Sequence, residues 1–255
     1  MEILDRSEKS RMQCPHAPWV RSAFWGLVMI AVIVLGILFQ ATSLPARPGK
    51  KTPESLPAPV KAYGSKTAPI TMEVFSDYEC PACRALYEQT LRAMIGDYVA
   101  AGKVYLVHRD FPLSGHKYSP QATRWANAAA RIGQFGNVEA ALYDNQAAWS
   151  ADGNFEKFIS GAMPPADFKR VQKQLEGCDS SPLTAPPHGV DLPTVEHYPC
   201  PVDAYIAQDI VLGKQVPVTA TPTFVIYYKG QKYPASSGFV SWQVFKNFFD
   251  QLLSQ

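Results

Sequence analysis

The chain has 255 residues, 47% of them hydrophobic and 18% charged, with a formal net charge of +2. That length holds one large domain or two small ones, and the apolar fraction excludes wholesale disorder. The charge balance gives no reason to expect nucleic acid as a partner, and neither a glycine-rich phosphate loop nor an internal repeat stands out.

Residues 1–22 form a charged leader. Ala23 to Phe39 then runs without a charge (AFWGLVMIAVIVLGILF). As a helix it is about 25 Å long, just short of a hydrocarbon core of ~30 Å, and Gln40 to Ser43 can extend it. A transmembrane helix over residues 23–42 is therefore expected, with Trp19, Trp25 and Arg21 at the near interface. The rival reading is a signal peptide cut after Ser43, since Ala41-Thr42-Ser43 has a small residue at each end. The apolar run and the leader are both longer than that reading favours. Arg6, Lys9, Arg11 and Arg21 precede the span and Arg47, Lys50 and Lys51 follow it, a weak preference for the N-terminus inside. Under either reading the bulk of the chain is exported.

Residues 43–65 carry Pro45, Pro48, Pro53, Pro57 and Pro59 and read as a semi-stiff tether. Compact structure is expected from Lys66 onward, as one domain over 66–255. Ile70 to Ser76 reads as a short buried strand. Pro81 to Ala101 has helical periodicity, with Cys83, Leu86, Tyr87, Thr90, Leu91, Met94, Ile95 and Tyr98 on one face and Gly102 as its stop. Val104 to Val107 is the next strand.

From about 117 to 200 the pattern is helical. Ser119 is the expected N-cap, followed by Pro120 at the first helical position. Further helices are expected over Asn137–Trp149, Pro165–Glu176 and Asp203–Leu212. Thr223 to Tyr228 is a strand, turned at Lys229-Gly230 into a hairpin with Lys232-Tyr233. Ser241 caps a last helix whose Trp242, Phe245, Phe248, Phe249 and Leu252 form an ordinary core stripe. Strand–helix–strand first, strand–strand–helix last and helices between describe a split α/β domain with a helical insertion.

Cys80-Pro81-Ala82-Cys83 stands where strand gives way to helix. With Cys80 as N-cap, Pro81 occupies the position where a missing N–H costs nothing. The free N–H groups of the first turn then face the Cys80 sulfur and favour thiolate over thiol. Cys83, one turn along, is placed to resolve a mixed disulfide. A purely structural disulfide and half of a metal site are the competing readings, but no second pair has zinc-site spacing. Cys178 and Cys200 flank a proline-rich loop, and a disulfide between them would restrict it by about 3 kcal/mol. His188 and His197 lie inside that loop, which leaves a two-Cys, two-His metal site as a weaker alternative. His108 and His116 read as structural or surface residues, and Cys14 as an unremarkable thiol.

Four stretches then resemble the DsbA-like thiol–disulfide oxidoreductases of the thioredoxin superfamily, particularly the membrane-tethered kind. They are Glu73-Val74-Phe75-Ser76, Cys80-Pro81-Ala82-Cys83-Arg84, Arg109-Asp110-Phe111-Pro112-Leu113 and Thr221-Pro222-Thr223-Phe224-Val225. The resemblance covers Thr67 to Leu253 and implies a thioredoxin fold with a helical insertion. It also implies a cis Pro222 packed on the active pair, with Thr221, Pro222 and Pro81 contacting substrate. Glu73 matches a buried acid that relays a proton to Cys83, although the loop from Glu73 to Cys80 is one residue longer than in the best-known members. Asp77 and Glu79 read as solvated.

Ala82 replaces the histidine of some strongly oxidising members, which implies a weaker oxidant. No exogenous cofactor is required, because the cysteines carry the electrons. The implied partners are exported protein thiols and a membrane redox protein, with the catalytic domain outside the cytoplasm of a bacterial cell. Reductase or isomerase activity is the runner-up. A copper-binding module using Cys80 and Cys83 and a redox-inactive scaffold are the readings from other classes.

Overall fold

The computed structural model describes residues 60–178, Leu183, Tyr198 and residues 200–255. The leader, the apolar span at 23–42, Cys14, the tether up to residue 59, His188 and His197 lie outside the described residues. No helix among the described residues is long and apolar enough to cross a membrane.

The strands are β1 (Ala62–Tyr63), β2 (Ile70–Ser76), β3 (Val104–Asp110), β4 (Thr223–Tyr228), β5 (Gln231–Lys232) and β6 (Ser236–Ser237). They form one sheet in the order β1-β3-β2-β4-β5, with β6 also paired to β4. β2 and β3 run parallel, with Ile70 opposite Val104 and Ser76 opposite Asp110. β4 is antiparallel to β2, with Glu73 opposite Val225. The parallel pair is joined by the long helix α1. Its turns are Pro81–Leu86, Tyr87–Leu91, Arg92–Met94 and Ile95–Val99, the second and fourth being wider π turns.

The insertion comprises α2 (Ser119–Ala130), α3 (Phe135–Asp144), α4 (Gln146–Asp152), α5 (Glu156–Gly161) and α6 (Pro165–Gln174). It is followed by α7 (Asp203–Gln215) and, after the last strands, α8 (Trp242–Leu253).

Alternation along the strands separates two cores. Ile70, Met72 and Val74 of β2, with Phe224, Ile226 and Tyr228 of β4, join a large core with α1, the insertion and α8. Phe75 and Val225 face the other side, with Val218, Leu212 and Phe111. Phe245 of α8 meets Phe224 edge-on at 4.8 Å between ring centres, so the C-terminal aromatic stripe is core packing. Gly213 of α7 lies so close to β3 that a Cβ there would sit 2.5 Å from the Phe111 ring.

Several expectations are corrected. The folded unit begins before residue 66: Lys61 is buried and β1 pairs with β3, Ala62 opposite Val107. Two residues of strand carry too little periodicity to be seen in a proline-rich stretch. β3 continues to Asp110, because Arg109 and Asp110 have buried ion-pair partners that make polar residues tolerable in a strand. The helix expected over Asn137–Trp149 breaks at Asn145, whose backbone (φ −113°, ψ 13°) leaves the helical region. The helix at Ser119 is not capped by Ser119. Ser119 is its first residue, and the Glu79 carboxylate accepts from the Tyr118 and Ser119 N–H groups at 2.7 and 2.9 Å. At the β4–β5 hairpin Lys229 (φ 48°) and Gly230 (φ 80°) are both left-handed, as a tight two-residue turn requires.

Candidate active site

The site is assembled from the end of β2, the start of α1, the segment after β3 and the loop before β4. Cys80 occupies the N-cap position in extended conformation (φ −74°, ψ 119°), with Pro81 opening the helix. The turn that delivers it is held from several sides. The Cys80 N–H donates to the Asp77 carbonyl at 3.2 Å and the Arg84 N–H to the Cys80 carbonyl at 3.1 Å. Gln146 of the insertion donates from Nε2 to the carbonyls of Tyr78 (2.7 Å) and Cys80 (2.9 Å). Gln146 had no signal in the sequence, because its role depends on where α4 docks.

The Thr221–Pro222 peptide bond is cis. The Thr221 carbonyl accepts from the Cys80 thiol at 3.3 Å. Thr221 Oγ1 is buried without a hydrogen-bond partner, so it is available to donate to a sulfur anion. Behind Pro222, its carbonyl accepts from the Gly238 N–H at 2.8 Å and ties the loop to β6.

The two sulfurs are electrostatically unequal. A hydrogen bond from Cys83 lowers the Cys80 pKa against an opposing burial effect. The Thr221 hydroxyl and the backbone N–H groups of Ala82 and Cys83 add to this, leaving it at about 5. Burial pushes Cys83 well above the usual thiol range, and the hydrogen bond and charge of Cys80 add to that. Cys80 and Cys83 are both free thiols in this structure. The acidic sulfur is the nucleophile and leaving group of such a pair; the other is its internal partner.

Glu73 does not join them. It shares the face of β2 that carries Phe75, opposite the core containing Cys83. Its carboxylate accepts from Arg109, Nε at 3.0 Å and Nη2 closer still, and from the Tyr227 hydroxyl at 3.1 Å. Successive residues of a strand point to opposite faces, and Val74 takes the inward position. The acid near the pair is Asp77, which is fully buried rather than solvated. Asp77 Oδ1 accepts from the Glu79 N–H (2.7 Å), and Oδ2 from the Leu113 N–H (2.7 Å) and His116 Nδ1 (2.8 Å).

Under the sheet end lies a second group of charges. Lys61 pairs with Asp110 and, at 2.6 Å, with Asp209. His108 sits 3.1 Å from Glu139 and 3.5 Å from Asp110. Burial lowers the His108 pKa, but hydrogen bonds and charge from Asp110 and Glu139 outweigh it and raise it to about 9. The Tyr78 ring stacks on His108 at 5.0 Å, linking this cluster to the turn before Cys80. Cys178 and Cys200, outside the site, are joined by a disulfide; both sulfurs are thereby unavailable to a metal shared with His188 and His197.

The family model described as Thioredoxin matches residues 58–185. At 29% identity over 166 residues, 64% of this chain matches 21% of the Na(+)/H(+) antiporter NhaA 3 of Salinispora tropica. At 26% identity, 47% of the chain matches 57% of the "Probable disulfide bond formation protein D" of Bacillus cereus. The chain thus spans about a fifth and just over half of these two curated relatives.

Among solved structures, alpha-DsbA1 of Wolbachia pipientis superposes with a TM-score of 0.58 at 19% identity, covering 78% of this chain and 94% of that one. DsbA2 of Pseudomonas aeruginosa gives 0.53 at 21% identity, covering 78% and 97%. Oxidised BdbD of Bacillus subtilis gives 0.53 at 16% identity, covering 78% and 97%. These likenesses establish the fold, a thioredoxin-like α/β domain with a helical insertion. With the family model matching half of its length, the chain belongs to the Thioredoxin family.

Proposed function

We propose that this chain is a thiol–disulfide oxidoreductase that exchanges disulfides with exported polypeptides, working as an oxidase. The observation that carries the reading is the inequality of the two sulfurs at the helix start, Cys80 at about 5 and Cys83 well above the normal range. In the oxidised enzyme a substrate thiolate attacks Cys80, because the S–S bond breaks toward the more accessible mixed disulfide. Cys83 leaves as a thiolate and, given its high pKa, takes up a proton. A second substrate thiolate then attacks the substrate sulfur bound to Cys80. Cys80 leaves as a stable thiolate, the substrate gains a disulfide, and two electrons remain on the Cys80–Cys83 pair. Stabilisation of the departing thiolate is what makes such a pair an oxidant.

Thr221, Pro222 and Pro81 are the substrate contacts in this reading. The Thr221 carbonyl beside Cys80 supports the first of these: its main chain is within reach of a peptide joined to that sulfur. Reoxidation falls to a membrane redox protein, and the apolar run at 23–42 holds the domain at the outer face of a bacterial cell membrane. Two of the matched names, the disulfide bond formation protein and the DsbA structures, fit this assignment.

The test is equilibration of the full chain with glutathione, followed by transfer of its disulfide to a reduced dithiol peptide. Cys80→Ser should reduce transfer to the uncatalysed background, and Cys83→Ser, offered the peptide in its disulfide form, should form a mixed disulfide between Cys80 and one peptide sulfur that no second enzyme thiol resolves. A potential at or above about −180 mV fits an oxidase, whereas about −270 mV assigns the reductase direction. Retention of transfer by Cys80→Ser removes the reading altogether.

A further inference from the structure

Ala82 leaves the dipeptide between the active-site cysteines without a charge, and the nearest acids work against a thiolate. Asp77 and Glu79 lie three residues and one residue before Cys80. Each carboxylate is tied down. Glu79 accepts the N–H groups of Tyr118 and Ser119 at the start of α2. Asp77 accepts from two backbone N–H groups and from His116 Nδ1 at 2.8 Å. The turn from Asp77 to Cys80 is closed by its own hydrogen bond, so the His116–Asp77 pair lies one tight turn from the reactive sulfur. His116 comes from the segment between β3 and α2, and its side chain is 26% exposed whereas that of Asp77 is 0% exposed.

We infer that His116, oriented by Asp77, is the cationic positioning residue that holds Cys80 in its reactive thiolate form. The inference rests on the reading of Cys80 as nucleophile. A buried carboxylate without a counter-charge destabilises any second anion nearby. An imidazolium on Asp77 offsets that penalty one turn before the sulfur. Burial lowers the His116 pKa, but the hydrogen bond and charge of Asp77, then the charges of Glu79 and Cys80, raise it overall. The coupling to Cys80 is reciprocal: whatever thiolate does for imidazolium, imidazolium does for thiolate. The groups around His116 are Asp77, Glu79 and Cys80 from the turn before α1, and Lys117 and Tyr118 beside it. Lys117 is turned to the Tyr118 hydroxyl at 3.0 Å. Cys80 itself is faced by Cys83 and Thr221.

The test is the thiolate absorbance of the reduced full chain, titrated from acid to alkaline pH, with Cys80→Ser identifying the Cys80 transition. In the unmodified chain the transition should fall near pH 5. His116→Gln, which removes the cation and keeps the Asp77 side chain, should raise it by about one unit, and His116→Lys should bring it back. Asp77→Asn should move it the opposite way, downward, because it removes the anion and leaves the histidine. A merely structural role would disturb both variants in the same direction. A His116→Gln transition within about 0.2 units of the parent, well below the shift a nearby charge produces, overturns the inference and leaves the reading of Cys80 standing. Absence of any acidic transition that Cys80→Ser abolishes overturns both.

Discussion

The two cysteine pairs of the folded unit differ in every respect that matters for chemistry. Cys80 and Cys83 are free, bracket a helix start, and sit among groups that treat their sulfurs differently. Cys178 and Cys200 are bridged across a sequence separation of 22, next to the apolar packing of α2, α5 and α6. The contrast teaches that two cysteines become a redox couple through the donors and charges around them, and a staple through the loop they close.

The largest effect that sharpens this contrast is expected from the buried charges around Lys61. Lys61 bridges Asp110 and Asp209, and Asp110 begins the segment whose Leu113 N–H binds Asp77. Lys61→Met removes the cation between them and leaves His108 beside Asp110 and Arg109 beside Asp209 as their remaining partners. It should destabilise the fold by about 3–5 kcal/mol in denaturant titration, while also weakening exchange. Unchanged exchange in the folded fraction would separate the charge cluster from the site.

Removing the other pair should act on stability alone. Cys178→Ser with Cys200→Ser should lower the unfolding free energy by about 3 kcal/mol, through the freed loop. Disulfide transfer by the folded protein should stay within about twofold, since ordinary surface-distant changes add independently. A loss of transfer would show that the bridge and the Cys80 turn are coupled.

A smaller effect separates them by pH. His108 has its pKa raised to about 9 from an ordinary 6.5. Its contribution to stability is therefore complete below pH 6.5 and is lost as pH rises through 9. The Cys80 thiol is depressed to about 5 from 9.0, so in the reduced protein its contribution is complete above pH 9 and is lost as pH falls through 5. Oxidation silences the second effect. The melting temperature of the oxidised chain should fall between pH 6.5 and 9, and His108→Gln should flatten that slope. An unchanged slope would show that His108 is not charged in the fold.

The smallest effect is expected at Glu73. Because it faces Arg109 and Tyr227, Glu73→Gln should cost about 1 kcal/mol of stability and leave the Cys83 titration where it was. A marked shift of that titration would restore Glu73 as a proton relay.

The sequence by itself determined the local features: β2 at Ile70–Ser76, the helix opening at Pro81, the hairpin at Lys229-Gly230 and the apolar stripe of α8. These follow from periodicities and backbone preferences within a few residues, so no distant contact is needed to read them. The placing of Cys80 and Cys83 at the helix start was legible for the same reason, since a cap, a proline and a second sulfur one turn on are neighbours in the chain. Only the tertiary structure decided which acid faces the sulfurs. One residue of register sends Glu73 to the far side of the sheet and leaves Asp77 buried at the turn.

It also decided that Gln146 and His116, 66 and 39 residues from the groups they hold, bind the turn before Cys80, and that Lys61 belongs to the fold rather than to the tether. The physical reason is common to all of these. A polar side chain enters a protein interior only where a partner from elsewhere satisfies it, and the identity of that partner is a property of packing rather than of sequence neighbourhood.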